Sequence, residues 1–94
     1  MTEYKLSHPV EWGEKVVESI NLEKPTVALV REIGRVPYVF NEKMQPEVDM
    51  KTVATYIARC SKLPPSVIDK LDIYDFQMLA FAMFSFFITP DSEK

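Results

Sequence analysis

The sequence predicts an α+β fold, an N-terminal β-hairpin packed on three or four short helices within one 94-residue domain. Three observations carry this. Apolar and polar residues alternate from Tyr4 to Trp12, the period of a half-buried strand. Met50, Val53, Tyr56, Ile57 and Cys60 recur at helical spacing with Lys51, Thr52, Thr55, Arg59 and Lys62 opposite. The chain then closes on FQMLAFAMFSFFI, Phe76 to Ile88, which holds five of its six phenylalanines.

Taken in order, the hairpin spans residues 4–23. Tyr4, Leu6, His8, Val10 and Trp12 share one face of its first strand. Pro9 lacks an N–H for a ladder, so this strand lies at an edge or breaks there. Gly13 offers the turn, and Val16, Val17, Ile20 and Leu22 supply the returning strand. Residues 25–88 form the helical part. Thr26 opens a helix carrying Val27, Leu29, Val30 and Ile33, and Gly34 ends it. Residues 35–48, with Pro37 and Pro46, show no clean period and read as a loop whose Tyr38, Val39 and Phe40 pack down. Asp49 caps the next helix, which Pro64 and Pro65 stop. Ser66 caps a short turn with Val67, Ile68 and Leu71, and Asp72 caps the final helix. Residues 89–94 form a flexible polar tail.

The final helix is apolar all round, and such a helix must be buried all round. One stripe, Ile73, Phe76, Ala80, Met83, Phe84 and Phe87, joins Val53 and Ile57 in the expected core. The other, Tyr74, Met78, Phe81, Ala82 and Ser85, points the opposite way and is the candidate partner-binding surface, with Leu79 and Phe86 on the flank. So short a chain can hardly enclose both stripes: either the hairpin and the loop 35–48 cover the second, or another chain does, a second copy or a different protein. Phenylalanine and methionine suit an adaptable surface.

A net charge of −3 and scattered basic residues argue against nucleic acid or an anionic membrane as partner. The single cysteine excludes an internal disulfide framework and fits a reducing compartment. The opening MTEYKLSHP lacks the pattern of a signal peptide, and no apolar run is long enough to span a bilayer. One histidine and one cysteine supply neither a zinc site nor a Cys/His pair, and two glycines make no phosphate-cradling loop. Asp69, Asp72 and Asp75 read as a helix cap with a solvated first turn rather than a metal or acid–base cluster. No enzymatic role and no cofactor are expected.

Three pieces occur together: Leu6-x-x-Pro9-Val10 with Gly13 after it; Ile20-x-Leu22-x-x-Pro25-Thr26-Val27; and Tyr56-Ile57-Ala58-Arg59, Leu63-Pro64, Leu71-Asp72-x-x-Asp75 and the Phe-rich helix. In this order the chain resembles, over residues 4 to 88, the tail assembly chaperones of contractile-tailed, Mu-like bacteriophages. Such sequences often carry glycine before the Leu-Pro, where this chain has Lys62, so a different turn is expected there. The resemblance implies binding of the tape measure protein, which stays soluble until tail tube subunits polymerise around it. The tail tube protein is then a further partner. It implies the host cytoplasm as location and absence from the mature virion. Two rival readings are a small DNA-binding regulator, with residues 50–88 as helix–turn–helix, and a structural tail component retained in the particle.

Overall fold

The computed structural model describes residues 2–89. Residues 90–94, most of the expected polar tail, lie outside the described residues. Two strands open the chain, β1 (Thr2–Trp12) and β2 (Lys15–Leu22), paired antiparallel. Their two-residue turn begins at Gly13, whose φ of 62° is the left-handed conformation that glycine adopts freely. The register shifts where Pro9 forbids a ladder bond. Between the pairs Lys5–Ser19 and Val10–Val17, the four residues Leu6 to Pro9 face the single residue Glu18. This bulge resets the facing of side chains. Leu6 and Val10 are buried, but His8, expected on the same face, is exposed at the surface.

Helix α1 (Val27–Ile33) starts as expected, with Thr26 Oγ1 accepting from the Leu29 N–H at 3.1 Å. It ends at Gly34 in the left-handed conformation, whose N–H reaches the Val30 carbonyl at 2.8 Å. Leu29, Val30 and Ile33 pack on the core, while Val27 stays exposed. The stretch 35–48, read as a loop inside a helical part, instead holds a second antiparallel hairpin, β3 (Tyr38–Phe40) and β4 (Pro46–Val48). Its turn is built by Asn41, whose Oδ1 accepts from the Lys43 and Gln45 N–H groups. Met44 takes the positive φ of 61° that glycine more often fills. Only Tyr38 of the expected packing residues is half-buried; Val39 and Phe40 are exposed.

Asp49 caps α2 (Met50–Ser61) as expected, and the Thr52 N–H donates to its side chain. Thr52, placed on the polar face by spacing, is buried, and Met50 at the start of the helix is not. The helix ends on Lys62 with φ 62°, so a lysine holds the backbone shape that a glycine would take without a Cβ clash. In α3 (Pro65–Asp69), Pro64 is the N-cap and Pro65 the first helical residue; Ser66 makes no cap. Asp72 caps α4 (Ile73–Ile88) by accepting from the Tyr74 N–H at 3.0 Å.

One buried cluster joins these pieces. Leu6, Val10, Ile20 and Leu22 of the first hairpin meet Val53, Tyr56, Ile57 and Cys60 of α2, Val67 and Ile68 of α3, and Leu79, Ala80 and Met83 of α4. Removing each large aliphatic side chain from water contributes about 1.5–3 kcal/mol. The core-facing phase of α4 differs from the expected one. Leu79, expected on the flank, is fully buried beside Met83, while Ile73 is 71% exposed and Phe84 only half-buried. The centre of the buried face is therefore Asp75–Leu79–Met83, with Phe76, Phe86 and Phe87 at its borders.

Candidate functional site

Helix α4 is 16 residues long, about 24 Å at the α-helical rise. Beyond Asp75 it carries no charged residue. Tyr74, Met78, Phe81, Ser85 and Ile88 follow at steps of three and four, so they occupy one face, opposite the buried one. Tyr74, Phe81 and Ile88 are 58%, 59% and 57% exposed, in a helix whose Leu79 and Met83 are sealed completely. Met78 is half-buried; Ser85 is exposed; Ala82 is half-buried and leans on the core. Of the five residues picked from the sequence, three thus stand open and two border them.

The apolar surface continues beyond the helix. The Phe84 ring meets Tyr38 of β3 edge-on with centroids 5.2 Å apart. Tyr38 also lies 6.0 Å from Phe87 and 5.9 Å from Phe40 in the same edge-on manner. Through Tyr38 the face of α4 reaches Phe40, 57% exposed, with Val39 beside it and Met44 in the turn. Sequence reasoning missed this extension, since it placed Val39 and Phe40 inside. The available signal was the apolar triplet itself, preceded by one proline and followed six residues later by another. At the other end of α4, Ile73, Leu71 and Phe76 line a shallow groove with Met50, flanked by Lys51 and Asp69.

At the first turn of α4 lies a polar cluster centred on Asp75. Asp75 is fully buried rather than solvated. Its carboxylate accepts from the Ser7 N–H at 3.0 and 3.1 Å, from the His8 N–H at 3.2 Å and from the Tyr4 hydroxyl at 3.0 Å. These are the amides that the β1 bulge removes from the ladder. Burial alone would raise the Asp75 pKa, but the Ser7 and His8 amides and the Tyr4 hydroxyl outweigh it and hold the carboxyl below its ordinary range. Burial, then the bond to Asp75, pushes the Tyr4 hydroxyl up to about 12.

This cluster has the residue types of a metal site without the availability. Ligand atoms of His8, Asp72 and Asp75 lie within 4.8 Å of one another. Both Asp75 oxygens are already engaged by donors, and His8 Nδ1 is 2.9 Å from Ser7 Oγ. The arrangement joins hairpin to helix. Cys60 is no nucleophile either: burial first, then Glu23, raises its thiol to about 11, so it stays protonated at neutral pH. Between α1 and α2, the cations Arg35, Lys51 and Arg59 are offset by Glu32 and Asp49, with Arg59 Nη2 2.9 Å from Glu32. No basic residue lies on α4, the second helix of the helix–turn–helix reading, so that face offers nothing to a phosphate backbone. Among the described residues, no helix is long and apolar enough to cross a membrane.

No curated protein and no solved structure matches the chain. The family model described as phage tail assembly chaperone proteins, E, or 41 or 14, matches residues 3–88, the whole of both hairpins and all four helices save Thr2. An exposed, uncharged apolar face on a folded acidic body accords with that match, and the chain belongs to the family of phage tail assembly chaperones.

Proposed function

We propose that this chaperone binds the tape measure protein of a contractile-tailed, Mu-like phage along the open face of α4, keeping that client soluble until tail tube subunits polymerise around it. The observation that carries the reading is the row Tyr74, Met78, Phe81, Ser85 and Ile88, uncharged over its whole length and open to solvent along most of it. An apolar helical face of a client lies along such a row by side-chain packing at the same three- and four-residue steps. Phenylalanine and methionine adapt to more than one client shape. The role is non-catalytic and is carried out in the host cytoplasm, with the tail tube protein as a further contact. The chaperone leaves before the virion matures.

The test replaces Met78 with Gln and Phe81 with Ser together. Because Phe81 is open and Met78 only half-buried, stability should fall by about 1 kcal/mol or less. Co-expressed tape measure protein should move to the insoluble fraction. Unfolding of the double variant would put the client site elsewhere, and a client that stays soluble would remove α4 from the reading. Proteomics of purified particles separates the retained tail component, since a chaperone is absent from them.

A further inference from the structure

The strands of this protein differ in how they treat their outer edges. β1 carries Pro9, and the amides its bulge frees are occupied by Asp75. β2 carries Lys15 and Glu18, and β4 opens with Pro46, which has no N–H to offer. Charges and prolines are the usual protection of a strand edge. Of the four described strands, β3 alone has neither; it is Tyr38, Val39 and Phe40.

The register shows which backbone groups of β3 are left over. The Asn41 N–H donates to the Gln45 carbonyl and the Asp49 N–H to the Pro37 carbonyl, so 41/45 and 37/49 are hydrogen-bonded pairs. Antiparallel pairs alternate, which makes Val39–Glu47 the hydrogen-bonded pair between them. The N–H and C=O groups of Tyr38 and Phe40 therefore point away from β4. Among the described residues, no hydrogen bond outside the β3–β4 ladder engages them.

We propose that this edge pairs antiparallel with β3 of a second copy of the chain, about a two-fold axis at Val39. In that register Tyr38 of each copy faces Phe40 of the other, and the two pairs exchange four N–H···O bonds, using every outward group of the strand. The side chains agree with this. Tyr38 and Phe40 share one face of β3 and already touch edge-on at 5.9 Å. Across the axis each Phe40, now 57% exposed, gains the second copy's Tyr38 as a cross-strand aromatic neighbour. No charge is placed on the strand, so symmetry brings no like charges together within it. The chain thus supplies both halves of the contact. A three-residue strand buries less than a standard dimer interface, so the dimer is weak and reversible, at roughly micromolar concentrations or above. The pairing is independent of which client the α4 face takes.

Introducing Val39→Cys tests the axis directly. At a non-hydrogen-bonded antiparallel pair the Cα atoms are about 4.5 Å apart, within disulfide reach. The native Cys60 is buried and does not compete. Val39→Cys should form a covalent dimer under mild oxidation far faster than Val16→Cys, a control at an exposed site on β2. Phe40→Pro removes an outward N–H and spares the β3–β4 ladder, so with far-UV circular dichroism unchanged it should weaken the dimer at least about tenfold in sedimentation equilibrium. Cross-linking of Val39→Cys no faster than the control would overturn the proposal, as would undiminished association of a folded Phe40→Pro chain.

Discussion

Asp75 is the side chain whose loss should be felt most. Replacing it with Ala leaves the Ser7 and His8 amides and the Tyr4 hydroxyl without their acceptor at a part-buried site. A destabilisation of about 3–5 kcal/mol in urea titration is expected. Its pH dependence has a definite sign. The folded-state pKa lies below the unfolded value of 3.8, so the unfolded chain binds the extra proton. The contribution is fully present above that value and is lost as pH falls through the depressed folded pKa. Tyr4 acts at the other limb: with its pKa raised from 10.0 to about 12, its contribution holds below pH 10 and fades between the two values. Tyr4→Phe should remove that alkaline loss and cost about 1.5–3 kcal/mol at neutral pH, read from denaturation curves at both pH values. Lys62 is the opposite case. Its left-handed backbone favours glycine, and its contact with Glu23 is exposed and long at 3.7 Å. Lys62→Gly should therefore stabilise by about 0.5–1 kcal/mol, measured as a shift in the urea midpoint at constant slope.

For the elements, α4 sets the terms. A helix with apolar residues on every face gives no preferred phase, which is why spacing alone put Ile73 and Phe84 in the core and Leu79 on its flank. What fixes the phase is Asp75, the one charged residue in the helix, pinned to the bulge of β1. Met83→Ala should cost about 2–5 kcal/mol because that side chain has no exposure at all. Phe84→Ala, whose ring is half-buried against Tyr38, should cost under about 2 kcal/mol, and denaturation of the pair separates the two phases. The caps at Thr26, Asp49 and Asp72 were legible because a short polar side chain before a periodic run has one local job. The second hairpin was not. Its strands have three residues each, and its turn relies on Asn41 and a left-handed Met44 instead of an Asn-Gly or Gly-Gly pair. The bulge was half legible: Pro9 announced a break, but only the distant Asp75 says how it is filled.

Across the molecule, the hairpin and the helices share one cluster, so neither has a core of its own. Urea unfolding followed by Trp12 fluorescence, near the hairpin tip, and by helical circular dichroism should give coincident transitions. Two separate midpoints would mean that the hairpin unfolds alone. The β3–β4 hairpin, with Val39, Phe40 and Met44 outside, should show faster amide exchange than α2. The open face of α4 was partly legible for the same reason that its phase was not. Composition said that some apolar surface would be left over, and only the packed fold says that Ile88 and Phe40 belong to it while Ala82 leans inward.

The bond between Asp75 and the bulge has a consequence in the order of synthesis. Ser7 and His8 leave the ribosome before their acceptor, which follows 68 and 67 residues later. Until then water must hold those amides, and Leu6, Val10, Ile20 and Leu22 lack Leu79 and Met83 to cover them. A nascent chain halted within α2 or α3 is thus an uncapped hairpin with its greasy side open, ready prey for host proteases. The bulge of β1 thus waits for α4 before its amides are held by the protein itself.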